Sequence, residues 1–539
     1  MRPAAPFGSR KLCLVLVLAT FAISRCIYYW MGVRFDPENL DFYWQIIDPA
    51  LLSGDLWRSL FYLRAQLPGF NFYLGSMMHL FPGHLTAAFH ATYLLLGLVL
   101  GICLFLLLDR LRLSRPVALL ITVTCIVSPV TVLYENWLFY EYPLAVLFCV
   151  SALFLHRYAS SHHRLDGIVF FTSLLLIALL RVIYHFLWFW IIVAVLVYVL
   201  PKCRRRTLLC AAAPGAVLSL VYLKSLILFG LFLPGSDVYG AINLAYMTRF
   251  TLPQEALASM VAKGAVSPIL LHDFEDEELL QAVPLPPKTG IPILDQRLKS
   301  NGNINMDSLW MEAVGRQLHK DGLALLRAHP EATLETISGS VGLYFLPADA
   351  GFPFVSGPSA NRELLSPFLK VFDLVVSGKD PSNDYAFFSY LTIPILLGFG
   401  FWRSRRWLKT ALPNHARQST AAQPSGCDVQ NENSSTEPRA SARGPIGGFG
   451  QQTELGFVPR WLRRAVRRPR GNPLDLTIVF AFGNIAYLSA VVVFTVYMDQ
   501  NRYRFEVFPL FVVLLGALIG FATSRCRALW SARKKSETD

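Results

Sequence analysis

The sequence predicts an all-α polytopic membrane protein of about ten transmembrane helices, with a soluble α or α+β domain on one face. Three observations carry this. Of 539 residues, 54% are apolar and 16% charged, against roughly a quarter charged in soluble domains, and the mean hydropathy is +0.43. The apolar residues fall in long blocks rather than evenly. More than half of the 49 lysines and arginines lie in seven short runs beside those blocks, as in cytoplasmic loops. A net charge of +13 distributed this way argues against a nucleic-acid partner.

The first apolar block, 12–31, is long enough to cross a bilayer and has no small-residue cleavage site after it, so it reads as an uncleaved anchor. Arg25 inside it must face protein or a polar cavity. Residues 32–84 form an acidic, aromatic first outer loop. Spans follow at about 85–108, 116–133 and 143–156, placed by the apolar blocks themselves. The block 168–200 has basic loops at both ends. As one helix it would measure about 50 Å, and one basic loop would fall on the wrong side. Two short crossings broken near Arg181–His185 remove both problems. A span at 207–232 completes an N-terminal membrane module over 1–232 with about seven crossings.

From 233 to 385 acidic residues outnumber basic ones and Pro and Gly are frequent, which predicts an extracytoplasmic domain with helices near 306–328 and 330–340. A span at 386–402 precedes a basic segment, 403–473, whose middle lacks apolar periodicity and reads as a largely disordered cytoplasmic linker. Two spans in 474–539, about 474–496 and 507–523, end in a basic tail. Both termini and every basic run then share the cytoplasmic side, which leaves the sequon at Asn433 there too. The nine cysteines avoid 233–385 and form no CxxC pair, so neither a disulfide framework nor a zinc site is expected.

Charged residues gather where the spans meet the outer face: Asp36, Glu38, Asp41, Asp48 and Asp55 with Arg34, Arg58 and Arg64; Glu135 and Glu141; Arg181 and His185; Asp499, Arg502, Arg504 and Glu506. Aromatic residues stand beside each group. Ionisable groups at this depth line a cavity or site more often than they occur by chance. Other signals are bland. His162 and His163 read as a solvated pair, and the run Asp273–Glu278 lacks the alternation of a calcium loop. No phosphate loop, dinucleotide fingerprint or Ser-His-Asp order appears.

Two patterns are more specific: Asp41-Phe42-Tyr43-Trp44 with a downstream Gly54-Asp55, and Asn501-Arg502-Tyr503-Arg504-Phe505-Glu506 with Pro509. With Leu180-Arg181 and Tyr184-His185 they resemble the GT-C superfamily of membrane glycosyltransferases, nearest the branches related to protein mannosyltransferases and lipid A aminoarabinose transferases. The likeness spans about 12–232 and 474–523; the 233–385 domain and the 403–473 linker match no known pattern. In place of the paired Asp-Glu of many members, Asp36, Glu38 and Asp41 are staggered around Asn39.

The resemblance implies a GT-C-like fold and inverting transfer of a sugar from a polyprenyl-phosphate donor to a glycan, lipid or protein acceptor at the extracytoplasmic face. A carboxylate can serve as the general base; Asp41 is the first candidate and Asp36 the second. Arginine suits the leaving phosphate, being always charged and able to donate paired hydrogen bonds; Arg504, Arg502 and Arg181 are the candidates in that order. Glu135, His185 and Tyr43 are candidates for ordering the acceptor. The resemblance fixes no cofactor: some members of the superfamily hold a divalent cation and others do not, and Glu135 is the carboxylate here that could hold one. The implied location is a bacterial inner membrane or an endoplasmic reticulum membrane. The alternatives are a glycolipid transporter or flippase, which would line a crossing path with polar residues, and a non-catalytic scaffold of the same fold.

Overall fold

A computed structural model describes residues 9–272, 283–351, 354, 359–379, 386–411 and 472–536. Residues 412–471 of the expected linker, the Asn433 sequon and the run Asp273–Glu278 lie outside them. Among the described residues the secondary structure is helical, with three isolated β-bridges and no strand.

Among the described residues, six helices are long and apolar enough to cross a bilayer: α1 (Arg10–Trp30), α3 (Leu85–Arg110), α6 (Glu141–Ser161), α9 (Arg204–Phe229), α15 (Pro473–Thr495) and α17 (Phe508–Ser536). The helix α2 (Pro68–Leu80) precedes α3 in the first outer loop. A seventh crossing is made by α4 (Arg115–Val127) and α5 (Pro129–Glu135) if they are counted together, since the pair bends by 54°. The bend falls at Pro129, which lacks the N–H that would continue the helical ladder. The remaining expected crossings are α7 (Arg164–Leu180), α8 (Phe186–Val199) and α14 (Phe387–Ala411). With 17 and 14 residues, α7 and α8 are each shorter than the about 20 residues a perpendicular span needs. The C-terminal half of α14 carries Arg403, Arg405, Arg406 and Lys409. Among the described residues the structure therefore supports a helical membrane protein, with six or seven helices long and apolar enough to span.

The expected break at Arg181–His185 is present. Arg181 leaves α7 in an extended conformation, and the imidazole of His185 caps α8 by accepting the Leu187 N–H at 3.1 Å.

The centre of the bundle is α6, which packs against α3, α7, α15 and α17. It is buried along almost its whole length, through Leu144, Phe148, Cys149, Ala152 and Leu155. Beside it, Arg25 finds the partner its position demands. Its Nε and Nη2 donate to the two carboxylate oxygens of Glu135, each at 2.7 Å, and Tyr142 donates its hydroxyl to the same carboxylate at 2.7 Å. The kink supplies a second set of acceptors: the Ile126 and Val127 carbonyls, at a helix end without helical donors, accept from Arg25 Nη1 (2.6 Å) and the Tyr28 hydroxyl (2.8 Å). Gly97 of α3 faces this pair, and a Cβ there would run into the Glu135 carboxylate.

After α9 the chain builds a second hydrophobic core around α10 (Tyr239–Arg249) and α11 (Leu309–Ala328). Helix α11 buries Trp310, Met311, Val314, Leu318 and Leu325 on one face, the three-four spacing of an amphipathic helix. Its N-terminus is capped by Ser308, which accepts from the Met311 N–H at 3.1 Å. This unit clasps the first outer loop. Buried Arg64 pairs with Asp237, the Arg64 and Ala65 amides donate to Asp307 (3.0 and 2.7 Å), and Asp48 accepts from the amide and hydroxyl of Ser300 (2.7 and 2.6 Å).

The helix α12 (Pro330–Phe345) leads to α13 (Ala360–Ser377), whose polar flank lines a cavity of about 190 Å³ with Asp349, Arg362, Lys370, Asp373 and Lys379. Burial, then the neighbouring Asp349 carboxylate, pushes Asp373 up to about 8. The folded state thus holds a proton that the unfolded chain releases near its ordinary value of 3.8. The resulting stabilisation is complete below that value and is lost as pH rises through about 8. We expect the thermal midpoint of the purified protein to fall between pH 5 and pH 9, and Asp373→Asn to flatten that slope. An unchanged slope in the variant would assign the pH dependence elsewhere.

Candidate functional site

Several chain segments meet at one end of the bundle around a cavity of about 510 Å³. The first outer loop contributes Phe42, Tyr43, Trp44 and Gln45. The α7–α8 break contributes Arg181, Val182 and His185; the loop after α9, Leu233 and Pro234. The end of α15 and the short helix α16 (Gln500–Glu506) contribute Tyr497, Asp499, Arg502 and Tyr503. Tyr140, just ahead of α6, forms part of the wall.

The two arginines are held from behind. Arg181 pairs with Glu506 and lies 3.4 Å from Glu141, and its guanidinium stacks 3.9 Å over the Tyr503 ring. Tyr184 steadies Glu506 with a 3.0 Å hydrogen bond. Arg502 is 5% exposed and stands 3.6 Å from both Glu141 and Asp499. Those separations give electrostatic attraction but exceed hydrogen-bond length. Among the described residues its buried Nε, which faces Glu141, has no hydrogen-bond partner, and neither has Oε1 of Gln45 in the same cavity. Burial alone would lower the pKa of Arg502, but the charges of Asp499 and Glu141 more than offset it and raise the value. Arg502 is thus a fixed cation with N–H capacity to spare.

Asp499 sits at the start of α16 with φ +69, a left-handed conformation that Asp tolerates better than most residues. From there its carbonyl accepts from the Arg502 and Tyr503 amides, starting the helix, while its carboxylate stays beside Arg502. Burial lowers His185, which keeps its ring neutral at pH 7. Because Nδ1 accepts from Leu187, the ring proton belongs on Nε2. Burial raises the Tyr43 phenol, so it remains a donor.

Of the residues singled out from sequence, Arg181, Arg502, His185 and Tyr43 line this cavity, and Asp41, Asp36, Arg504 and Glu135 do not. Asp41 is exposed, and its backbone carbonyl accepts from the side chains of Asn301 and Asn303, both at 2.6 Å. Half-buried Asp36 pairs its backbone with the segment around Trp137, and its carboxylate accepts from the Glu38 amide at 3.0 Å. Burial raises its pKa. Arg504 points the other way from Arg502 and clamps the end of α12 by donating to the carbonyls of Tyr344 (2.5 Å) and Leu346 (2.7 Å). Glu135 is the counter-ion of Arg25. With both oxygens engaged it does not fit a divalent cation, and among the described residues no group of three or more His, Cys, Asp or Glu is placed to hold one. Asp499, noted in the sequence among the outer-face charges but given no role there, also lines the cavity. Its spacing of three from Arg502, within a segment that forms a helical turn, is the signal that would have found it.

No protein-family model, curated protein or solved structure matches this chain.

Proposed function

We propose that the protein is a membrane glycosyltransferase of GT-C type that moves a sugar from a polyprenyl-phosphate donor to an acceptor hydroxyl in the 510 Å³ cavity. The observation that carries this reading is the convergence of Arg181, Arg502 and Asp499, from distant parts of the chain, on one aromatic-walled hollow at the end of a helical bundle. Ten crossings, with α7 and α8 spanning as short helices across a locally thinned bilayer and α14 as a further span, would put this hollow at the extracytoplasmic face and the basic runs on the other.

In this mechanism the donor phosphate takes the open N–H groups of Arg502, with Arg181 adding charge. The acceptor oxygen bonds to the anomeric carbon from the face opposite the phosphate, the bond from that carbon to the phosphate oxygen breaks, and the configuration inverts. The acceptor proton passes to Asp499, the carboxylate within the cavity, and polyprenyl phosphate leaves. Tyr43, Tyr140, Tyr497 and Tyr503 offer rings for sugar faces, and Val182 and Leu233 an apolar wall. The sealed Arg25–Glu135 pair deeper in the bundle favours chemistry at one face over a continuous polar path.

Sugar transfer by Asp499→Asn and Asp41→Asn variants, assayed in vesicles with a panel of polyprenyl-phosphate sugars, tests the assignment. Asp499→Asn is expected to lose roughly a hundredfold or more, and Asp41→Asn far less. The reverse result would return the base to the first outer loop. Full activity in both variants would remove a carboxylate base from the mechanism.

A further inference from the structure

Helix α13 presents three faces. Asn361, Leu365 and Leu369 pack inward, and Leu365 is fully buried. Arg362, Ser366 and Lys370 form the polar flank. On the third face Leu364, Phe368, Val371, Leu374 and Val375 recur at the i, i+4, i+7, i+10, i+11 spacing of one helical stripe. Phe368 is 51%, Val371 64% and Val375 68% exposed. Nothing among the described residues covers this stripe, and such a row would be a liability in water.

Both ends of α13 are fixed at one end of the bundle. At its start, the Arg34 amide donates to the Asn361 side chain (3.0 Å), which donates back to the Arg34 carbonyl (2.6 Å). Arg34 lies four residues beyond α1, whose terminal Tyr29 and Trp30 are exposed. At its finish, Gly378 turns the chain with φ +66, Lys379 bridges to Ala386, and α14 begins at Phe387. Phe387 and Phe388 are exposed as well. The 18-residue helix thus runs between the end of one membrane span and the start of another apolar helix, at the level where both leave the bundle. Its apolar stripe continues the apolar belt of those helices, and exposed Lys370 stands at its edge as a cation does at a headgroup layer.

We propose that α13 is an interfacial helix, its Leu364–Phe368–Val371–Val375 stripe docked in the phospholipid leaflet that surrounds the cavity end of the bundle. The occupant is lipid rather than a second copy of the chain, because the stripe is continuous with surface that lipid must already cover. This inference rests on the membrane character of the protein and not on its being a transferase, so it can fail or stand independently of that reading.

The test uses the full-length protein in phosphatidylcholine vesicles, with an environment-sensitive fluorescent amino acid incorporated at position Val371 or, as a control, at Glu363. With lipids carrying a quencher near the top of the acyl chain, emission from position 371 is expected to fall about twofold relative to unlabelled vesicles, and emission from 363 to change little. Equal, small changes at both positions would overturn the proposal. So would protection of 371 accompanied by energy transfer between labelled copies, which would make the stripe an interface between chains. Position 371 is exposed, so the label leaves the packing intact, and elution as a single species checks the fold.

Discussion

If the protein transfers a sugar as proposed, Arg502→Lys is expected to lose that activity by about a hundredfold, the usual cost of removing one donor aimed at developing negative charge, with the protein still folded. Lysine retains the positive charge that balances Asp499 and Glu141, both 3.6 Å from the guanidinium. It cannot reproduce a planar fork, and its ammonium is a point charge on a flexible stem. Arg502 lines the cavity, and its guanidinium would meet a donor phosphate there. Donor binding and turnover should fall together, since the phosphate is held before transfer and bears more charge as it leaves. Near-normal transfer by Arg502→Lys, with unchanged donor affinity, would mean that this guanidinium is structural. Arg181→Lys is the less informative variant. Arg181 is locked to Glu506 and approached by Glu141, so its loss perturbs packing as well as the cavity.

The largest expected loss of stability comes from Glu135→Ala. This change strands Arg25 inside the bundle with two of its hydrogen bonds gone, and breaking one partner of a buried pair costs about 3–5 kcal/mol. The double variant Arg25→Leu with Glu135→Leu should recover much of that loss, because the desolvation of both charges disappears with them. Thermal midpoints of the three proteins in one detergent measure this. A double variant no better than Glu135→Ala would locate the stabilisation in the hydrogen bonds to Ile126, Ser24 and Tyr142 rather than in the charges.

Local patterns in the sequence carry much of this architecture. The 168–200 block was too long for one crossing and too basic at both ends, and the chain does break between Leu180 and Phe186. Arg25 within an apolar block demanded a polar partner, and it has one. The identity of that partner was not legible, because Glu135 lies 110 residues further on and reaches Arg25 only through the kink at Pro129. The same limit applied to the arginines. Arg502 and Arg504 were read as neighbours in a loop, but α16 is helical, and a separation of two residues places side chains on opposite sides of a helix. One therefore meets the cavity and the other α12. The placement of Asp41 was decided by Asn301 and Asn303 from the second core, a contact across some 260 residues that no periodicity encodes.

The Arg25–Glu135 pair also bears on how the chain is made. During synthesis α1 reaches the lipid phase while the carboxylate that neutralises it, 110 residues away, is still unmade. An arginine within a hydrophobic segment opposes partition into lipid by about 2.5–3.5 kcal/mol on insertion scales. That cost is relieved when the kinked hairpin emerges and brings its carbonyls and carboxylate to the guanidinium. The guanidinium of the first helix thus gains its carboxylate only after the chain has been made past Glu135.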